Sequence, residues 1–256
     1  VADFSSNLNS ICEGGSVNFS DQSINNPSSW NWSFQGGTPA SSSQQNPSIT
    51  YNTAGTYEVS LEVSNADGTD TKTVSSFITV NEPAGLSASL SNLSCNGSGD
   101  GSIDLNLNGG NAPFSFEWSN GPQTEDISSL NAGNYSVTVT GSSGCVSNQT
   151  FSVTEPDELL ISANIVNADC GQNNGSISLN INGGAGGYSY NWANGGSSAT
   201  LTNLSAGNYA VIVSDANNCS NSKTFSVSNT NSPNVNLLIT EISCGASQDG
   251  ALNAEV

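Results

Sequence analysis

The six cysteines, at positions 12, 95, 145, 170, 219 and 244, are the residues of this 256-residue chain with the most chemical potential. A thiol can hold a metal, attack an electrophile or join a second thiol. Metal binding calls for closely spaced Cys and His ligands, and the sequence has neither a C-x-x-C pair nor any histidine. Without histidine there is also no serine or cysteine triad of the usual kind. No phosphate loop or dinucleotide fingerprint is present. Paired carboxylates can hydrolyse a glycoside, but the sequence places none of its 21 acidic residues in a recognisable pocket. The chain therefore reads as non-enzymatic. Its cysteines are left to form disulfides, which points to an oxidising, extracellular setting.

Six cysteines allow 15 pairings, and an internal repeat narrows them. Cys95, Cys170 and Cys244 open three copies at a near-constant spacing. Trp118 and Trp192, Tyr135 and Tyr209, and Cys145 and Cys219 all recur at one shared interval. The repeat selects Cys95–Cys145 and Cys170–Cys219, each stapling one small module whose core is meagre. A closed loop of about 50 residues gives roughly 4 kcal/mol in the chain-entropy treatment. Cys12 is then left as a buried thiol or a site of intermolecular bonding, and Cys244 pairs beyond residue 256.

The elements that carry these residues are strands. Tyr135, Val137 and Val139 alternate with Ser136, Thr138 and Thr140, as Tyr209, Val211 and Val213 alternate with their polar neighbours. That is the period of a half-buried strand. Gly-rich turns every 8–12 residues or so suggest a sandwich, and no stretch has a helical period. "AGNY" before each strand places a tyrosine at a tight turn, the tyrosine corner of immunoglobulin-like sandwiches, with Gly133 and Gly207 supplying backbone freedom. Residues 1–82 share this grammar in "AGTYEVSLEV", where Tyr57, Val59, Leu61 and Val63 face inward. The expected fold is all-β: tandem immunoglobulin-like β-sandwiches forming an elongated rod.

Aromatic stripes Phe114, Phe116, Trp118 and Tyr188, Tyr190, Trp192 are read as core, as is Trp32; Trp30 is the exposed tryptophan and the candidate glycan contact. Glu82 at one module junction, and Glu155, Asp157 and Glu158 at the next, are candidate calcium ligands, since that ion gathers several oxygens. The alternative is a solvated linker stiffened by Pro83 and Pro156. No cofactor is required, and calcium is the one candidate ion.

The formal charge is −19, with two lysines and no arginine. Nucleic acid binding depends on Lys and Arg to displace counterions, so it is excluded, and an anionic membrane surface is disfavoured. No apolar run approaches the length of a membrane span, so direct membrane insertion is not expected. The chain opens on Val1 and reads as an excerpt from a longer secreted protein.

Residues 1–82 resemble the PKD family of immunoglobulin-like domains. The resemblance rests on Trp30, Trp32, Phe34, Gly36 and Gly37, then Asn46-Pro47, then Gly55, Tyr57 and Val59. Family members often carry Asp where this chain has Ser33 and Gly36. The later copies are similar to SprB-type repeats of gliding Bacteroidota. Repeat one carries Cys95, Gly101-Ser102, Gly109-Gly110, Phe114, Phe116, Trp118 and Ala132-Gly133-Asn134-Tyr135. Repeat two carries Cys170, Gly175-Ser176, Gly183-Gly184, Tyr188, Tyr190, Trp192 and Ala206-Gly207-Asn208-Tyr209. Repeat one departs in having Thr140-Gly141 where repeat two has Ser214-Asp215. The domains expected are a PKD-like sandwich at 1–82, repeats at 83–156 and 157–231, and the start of a third at 232–256.

The resemblance implies a cell-surface adhesin or filament, exported by a type IX secretion route and serving attachment and gliding motility. Extracellular surfaces or polysaccharide, neighbouring repeats and lateral self-association are the expected partners. The alternative is a non-catalytic stalk or carbohydrate-binding region of a secreted hydrolase.

Overall fold

A computed structural model describes residues 1–230, 236–240 and 251–255. Every regular element in these residues is a β-strand. Three hydrophobic cores are separate from one another, and each lies between two sheets.

In the first module one sheet is ordered Phe4–Ser6, Gly15–Asp21, Ser48–Tyr51, Gly37–Thr38. The other is ordered Ser10–Cys12, Gly68–Asn81, Gly55–Asn65, Ser29–Phe34, Ser41–Ser42. Alternation does the work expected of it: Val59, Leu61 and Val63 are buried while Glu62 between them is exposed. Trp32 is fully buried and packs on Phe34, Phe19 and Phe4. Strand Ser10–Cys12 runs parallel to Thr79–Asn81. Cys12 therefore sits at the end of the module's last strand, where the chain leaves for Glu82 and Pro83.

Repeat one pairs the sheet Gly85–Ser91, Gly101–Asn108, Ile127–Leu130 with the sheet Ser115–Trp118, Gly133–Thr140, Val146–Val153. Repeat two repeats the plan. Its sheets are Leu160–Val166, Gly175–Asn182, Thr200–Leu204 and Ser189–Trp192, Gly207–Ser214, Ser220–Val227. Trp118 and Trp192 are buried, and Phe114, Phe116, Tyr188 and Tyr190 pack half-buried against the cores. Each core indole N–H finds a carbonyl, as a buried tryptophan requires: Trp32 on Gln44 at 2.9 Å, Trp118 on Thr124 at 3.0 Å and Trp192 on Ser198 at 2.9 Å. Strands Asn236–Thr240 and Ala251–Glu255 pair antiparallel, within the residues expected to start a third repeat. Cys244 lies outside the described residues.

By contacts the chain divides into two compact units, residues 1–93 with 99–154, and residues 94–98 with 155–256. The loop 94–98 of repeat one thus belongs with the second unit.

All three tyrosine corners form. Tyr57, Tyr135 and Tyr209 donate their hydroxyls to the carbonyls of Thr53, Asn131 and Ser205, four residues upstream, at 2.8, 2.9 and 2.9 Å. Gly133 and Gly207 do not act through backbone freedom, because neither takes a positive φ. Gly36 does have a structural requirement: its φ is +68°, and a Cβ there would lie 2.2 Å from the Tyr57 ring. With the Tyr57 ring in that place, there is no room for a side chain at position 36.

Among the described residues two buried side-chain oxygens, the hydroxyls of Tyr51 and Ser143, have no hydrogen-bond partner. Tyr51 is fully buried. Burial, with Tyr57 alongside, pushes its phenol up to about 12. A buried unsatisfied donor is costly, while its removal leaves the apolar contacts intact. Tyr51→Phe is expected to stabilise the first module by about 1 kcal/mol, read as a higher denaturant midpoint at unchanged slope. A lower midpoint would mean the hydroxyl has a partner after all.

Candidate functional site

The chain's distinguishing chemistry is covalent, and it differs from the expected pairing. The bridges are Cys12–Cys145 and Cys95–Cys219, each with Cα atoms 5.6 Å apart. Cys95–Cys145 and Cys170–Cys219 do not form. Cys12, expected as a buried or intermolecular thiol, is bonded, and Cys170 is an exposed free thiol.

Strand direction explains the correction. In repeat one, Leu93 donates its N–H to Thr154 O at the end of the last strand, while Cys145 immediately precedes that strand's start at Val146. Eight residues of strand separate the two levels by roughly 25 Å. A disulfide tolerates a Cα separation of only about 7 Å. Cys95 and Cys145 therefore stand at opposite poles of their own sandwich. Repeat two has the same layout: Ala168 meets Ser228 and Asn229 beyond the last strand, while Cys219 precedes that strand. Each early cysteine lies where its module ends, and each late one lies in the hairpin before its module's last strand.

Within the first unit, Asn81 organises the join. Its side-chain amide donates to Ser10 Oγ and Ile11 O, at 2.9 and 3.1 Å, and its carbonyl accepts from Glu13 N–H. Ser147 Oγ donates to Ala84 O, bringing the cysteine hairpin against the linker. Within the second unit, loop 94–98 is held at three further points. Gly97 N–H donates to Glu155 Oε2 at 2.7 Å, Asn96 Nδ2 to Pro156 O at 3.1 Å, and Asn217 Nδ2 to Ser94 O at 3.0 Å.

Asp215 builds the hairpin that presents Cys219. It is 5% exposed. Its carboxylate accepts from the N–H groups of Ala185, Asn217 and Cys219 at 2.7, 2.9 and 3.0 Å. The Ala185 bond, helped by Cys219 and Asn217, outweighs burial and holds its pKa below the usual carboxylate value. Repeat one cannot use this device, because a Cβ on Gly141 would stand 2.8 Å from Asn111 O. There Ser142 Oγ donates to the carbonyls of Asn111 and Ala112 instead. The sequence motif marked position 215, and the aspartate's turn chemistry was the signal for its role.

A lowered folded pKa contributes stability above the unfolded value, and that contribution is lost as pH falls through the folded one. Repeat two should therefore lose stability as pH drops below about 4. Asp169 adds to the slope, since Asn174 and then Thr230 lower it in the same way. Asp215→Asn should flatten, without abolishing, the decline in denaturant midpoint. An unchanged decline would show that Asp215 is not the group titrating.

The candidate calcium ligands do not converge. Among the described residues no three His, Cys, Asp or Glu side chains are grouped to hold a metal. Glu155 is engaged by Gly97 N–H, and Glu82 lies over the Gly109 turn in the first unit. Asp157, Glu158 and Asp215 line one cleft of about 440 Å³ in the second, but Asp215 already accepts three backbone donors there. Trp30 is half-buried rather than exposed. Its indole N–H donates to Asp21 Oδ2 at 2.7 Å, beside a cleft shared with Gln45, Asn25 and Asn26.

No helix among the described residues is long and apolar enough to cross a membrane.

Two sheets on one core, three times in tandem, with a tyrosine corner in each, make this a chain of immunoglobulin-like β-sandwiches. Residues 1–80 match the PKD domain family, and residues 87–123 and 162–197 match the SprB repeat. Residues 1–197 thus carry a PKD domain followed by SprB repeats. Similar solved structures include the N-terminal eight Ig domains of Down Syndrome Cell Adhesion Molecule, 11% identical, TM-score 0.43, covering 86% of this chain and 35% of that one. A C-terminal intimin fragment in complex with the translocated intimin receptor is 13% identical, TM-score 0.42, covering 64% and 67%. Extracellular domains 3–5 of Drosophila OTK are 13% identical, TM-score 0.28, covering 86% and 93%. The chain thus spans about a third of the first of these. No curated protein matches it.

Proposed function

We propose that this chain is an adhesive and structural segment of a long cell-surface protein, serving surface attachment and gliding motility after export by a type IX route. The observation that carries the reading is the succession of PKD and SprB modules stapled by disulfides. Disulfides persist outside the cytoplasm. The −19 charge favours solubility and turns the partner search towards neutral surfaces and polysaccharide. The Trp30 cleft, with its ring and neighbouring amides, is the place for a glycan to stack.

Deleting the coding segment for residues 1–256 from the source cell tests this. Attachment to glass and spreading on agar should fall while the rest of the protein still reaches the surface. Unchanged attachment and spreading, with loss of a secreted hydrolytic activity, would favour the stalk of a hydrolase. Binding to polysaccharide beads that Trp30→Ala leaves intact would remove the glycan cleft from the proposal.

A further inference from the structure

We propose that the two bridges make this chain a tension-bearing element in which three modules resist force together instead of one after another. The bridges interleave: Cys12 joins Cys145 and Cys95 joins Cys219. They fuse four cysteines into two nodes, Cys12 with Cys145 and Cys95 with Cys219. Three stretches of chain then run between the same two nodes. The first runs from Cys12 to Cys95, the second from Cys95 to Cys145 and the third from Cys145 to Cys219. Each contains most of one module's core, and the second is the shortest.

Modules joined end to end yield singly, the weakest first. Stretches joined at both ends share the load, and none lengthens unless all do. The shortest also caps the extension. Drawn out at about 3.6 Å per residue, the stretch from Cys95 to Cys145 reaches roughly 180 Å, against roughly 750 Å for the whole run from Cys12 to Cys219 without bridges. The same register recurs at each step, from a module's early cysteine to the next module's last hairpin. Cys170 holds in repeat two the place of Cys95 in repeat one, where a rung to a following module would begin. The inference deepens the surface-attachment reading but is separable from it, because an extension curve does not depend on which surface is bound.

The test is force–extension of the full chain held at its two ends, without and then with a dithiol reductant. Without reductant, the stretch from Cys12 to Cys219 should release in one event and reach no more than roughly 180 Å between the nodes. With reductant it should reach roughly 750 Å, in separate steps. Pairing inside each repeat would instead give roughly 390 Å without reductant, which would overturn the proposal. Stepwise release of single modules from the oxidised chain, or no effect of reductant, would overturn it as well.

Discussion

Cys219→Ser should destabilise the second unit by several kcal/mol, while Cys170→Ser should stay within about 0.5 kcal/mol of the parent, as a surface change does. Pairing inside the repeat would make these two substitutions equal, so the contrast tests the register directly. The magnitude follows from loop entropy. The bridges span 124 and 133 residues, and closing loops of that length is worth about 5 kcal/mol each in the chain-entropy model. Because the loops overlap between residues 95 and 145, the second bridge acts on an unfolded chain the first already confines. Removing either alone therefore costs less than half the loss of both. Cys12→Ser should match Cys219→Ser in size and strike the first unit. Urea unfolding under non-reducing conditions reads all of this, with the slope rising as the unfolded chain expands. Near-equal midpoints for Cys170→Ser and Cys219→Ser would sink the observed register.

Those cysteines also mark where reading the sequence fails. The strands, the buried tryptophans and the three tyrosine corners were legible because each is written locally. A two-residue alternation, an indole within a strand and a hydroxyl reaching four residues back need no knowledge of the rest of the chain. The disulfides are not local. The repeat places Cys95 and Cys145 in one copy, but an antiparallel sandwich sends them to opposite poles. A signal was present: the first module has Cys12 at the early position and no late cysteine. Pairing within copies strands that residue, whereas pairing to the next copy uses it. Carboxylate partners are equally non-local: Glu155 accepts the Gly97 N–H from the 94–98 loop, and Asp215, never read as a calcium ligand, accepts the N–H groups of Ala185, Asn217 and Cys219.

Gly183→Ala is the most damaging single methyl expected in repeat two. The Gly-Gly pair of each repeat lies where the incoming linker crosses the sandwich. In repeat two, Gly184 N–H donates to Asp157 O at 2.8 Å, and Tyr188 donates its hydroxyl to Gly183 O at 2.7 Å. Gly183 has φ +77°, and a Cβ there would stand 2.0 Å from Glu158 O and 2.8 Å from its carbonyl carbon. The obstruction is backbone, so it cannot swing aside as a side chain would. A left-handed alanine costs about 1–2 kcal/mol, and forcing atoms into a filled space adds about 1–3. Gly186 serves as the control, with φ +74° and nothing within 4 Å of its would-be Cβ. Gly186→Ala should show the backbone cost alone, and Gly183→Ala that cost plus displacement of the linker, a total of about 2–5 kcal/mol. The difference between the two midpoints measures how firmly the linker is seated. Equal midpoints would mean that the linker gives way freely, and the glycine pair would then serve the turn rather than the crossing.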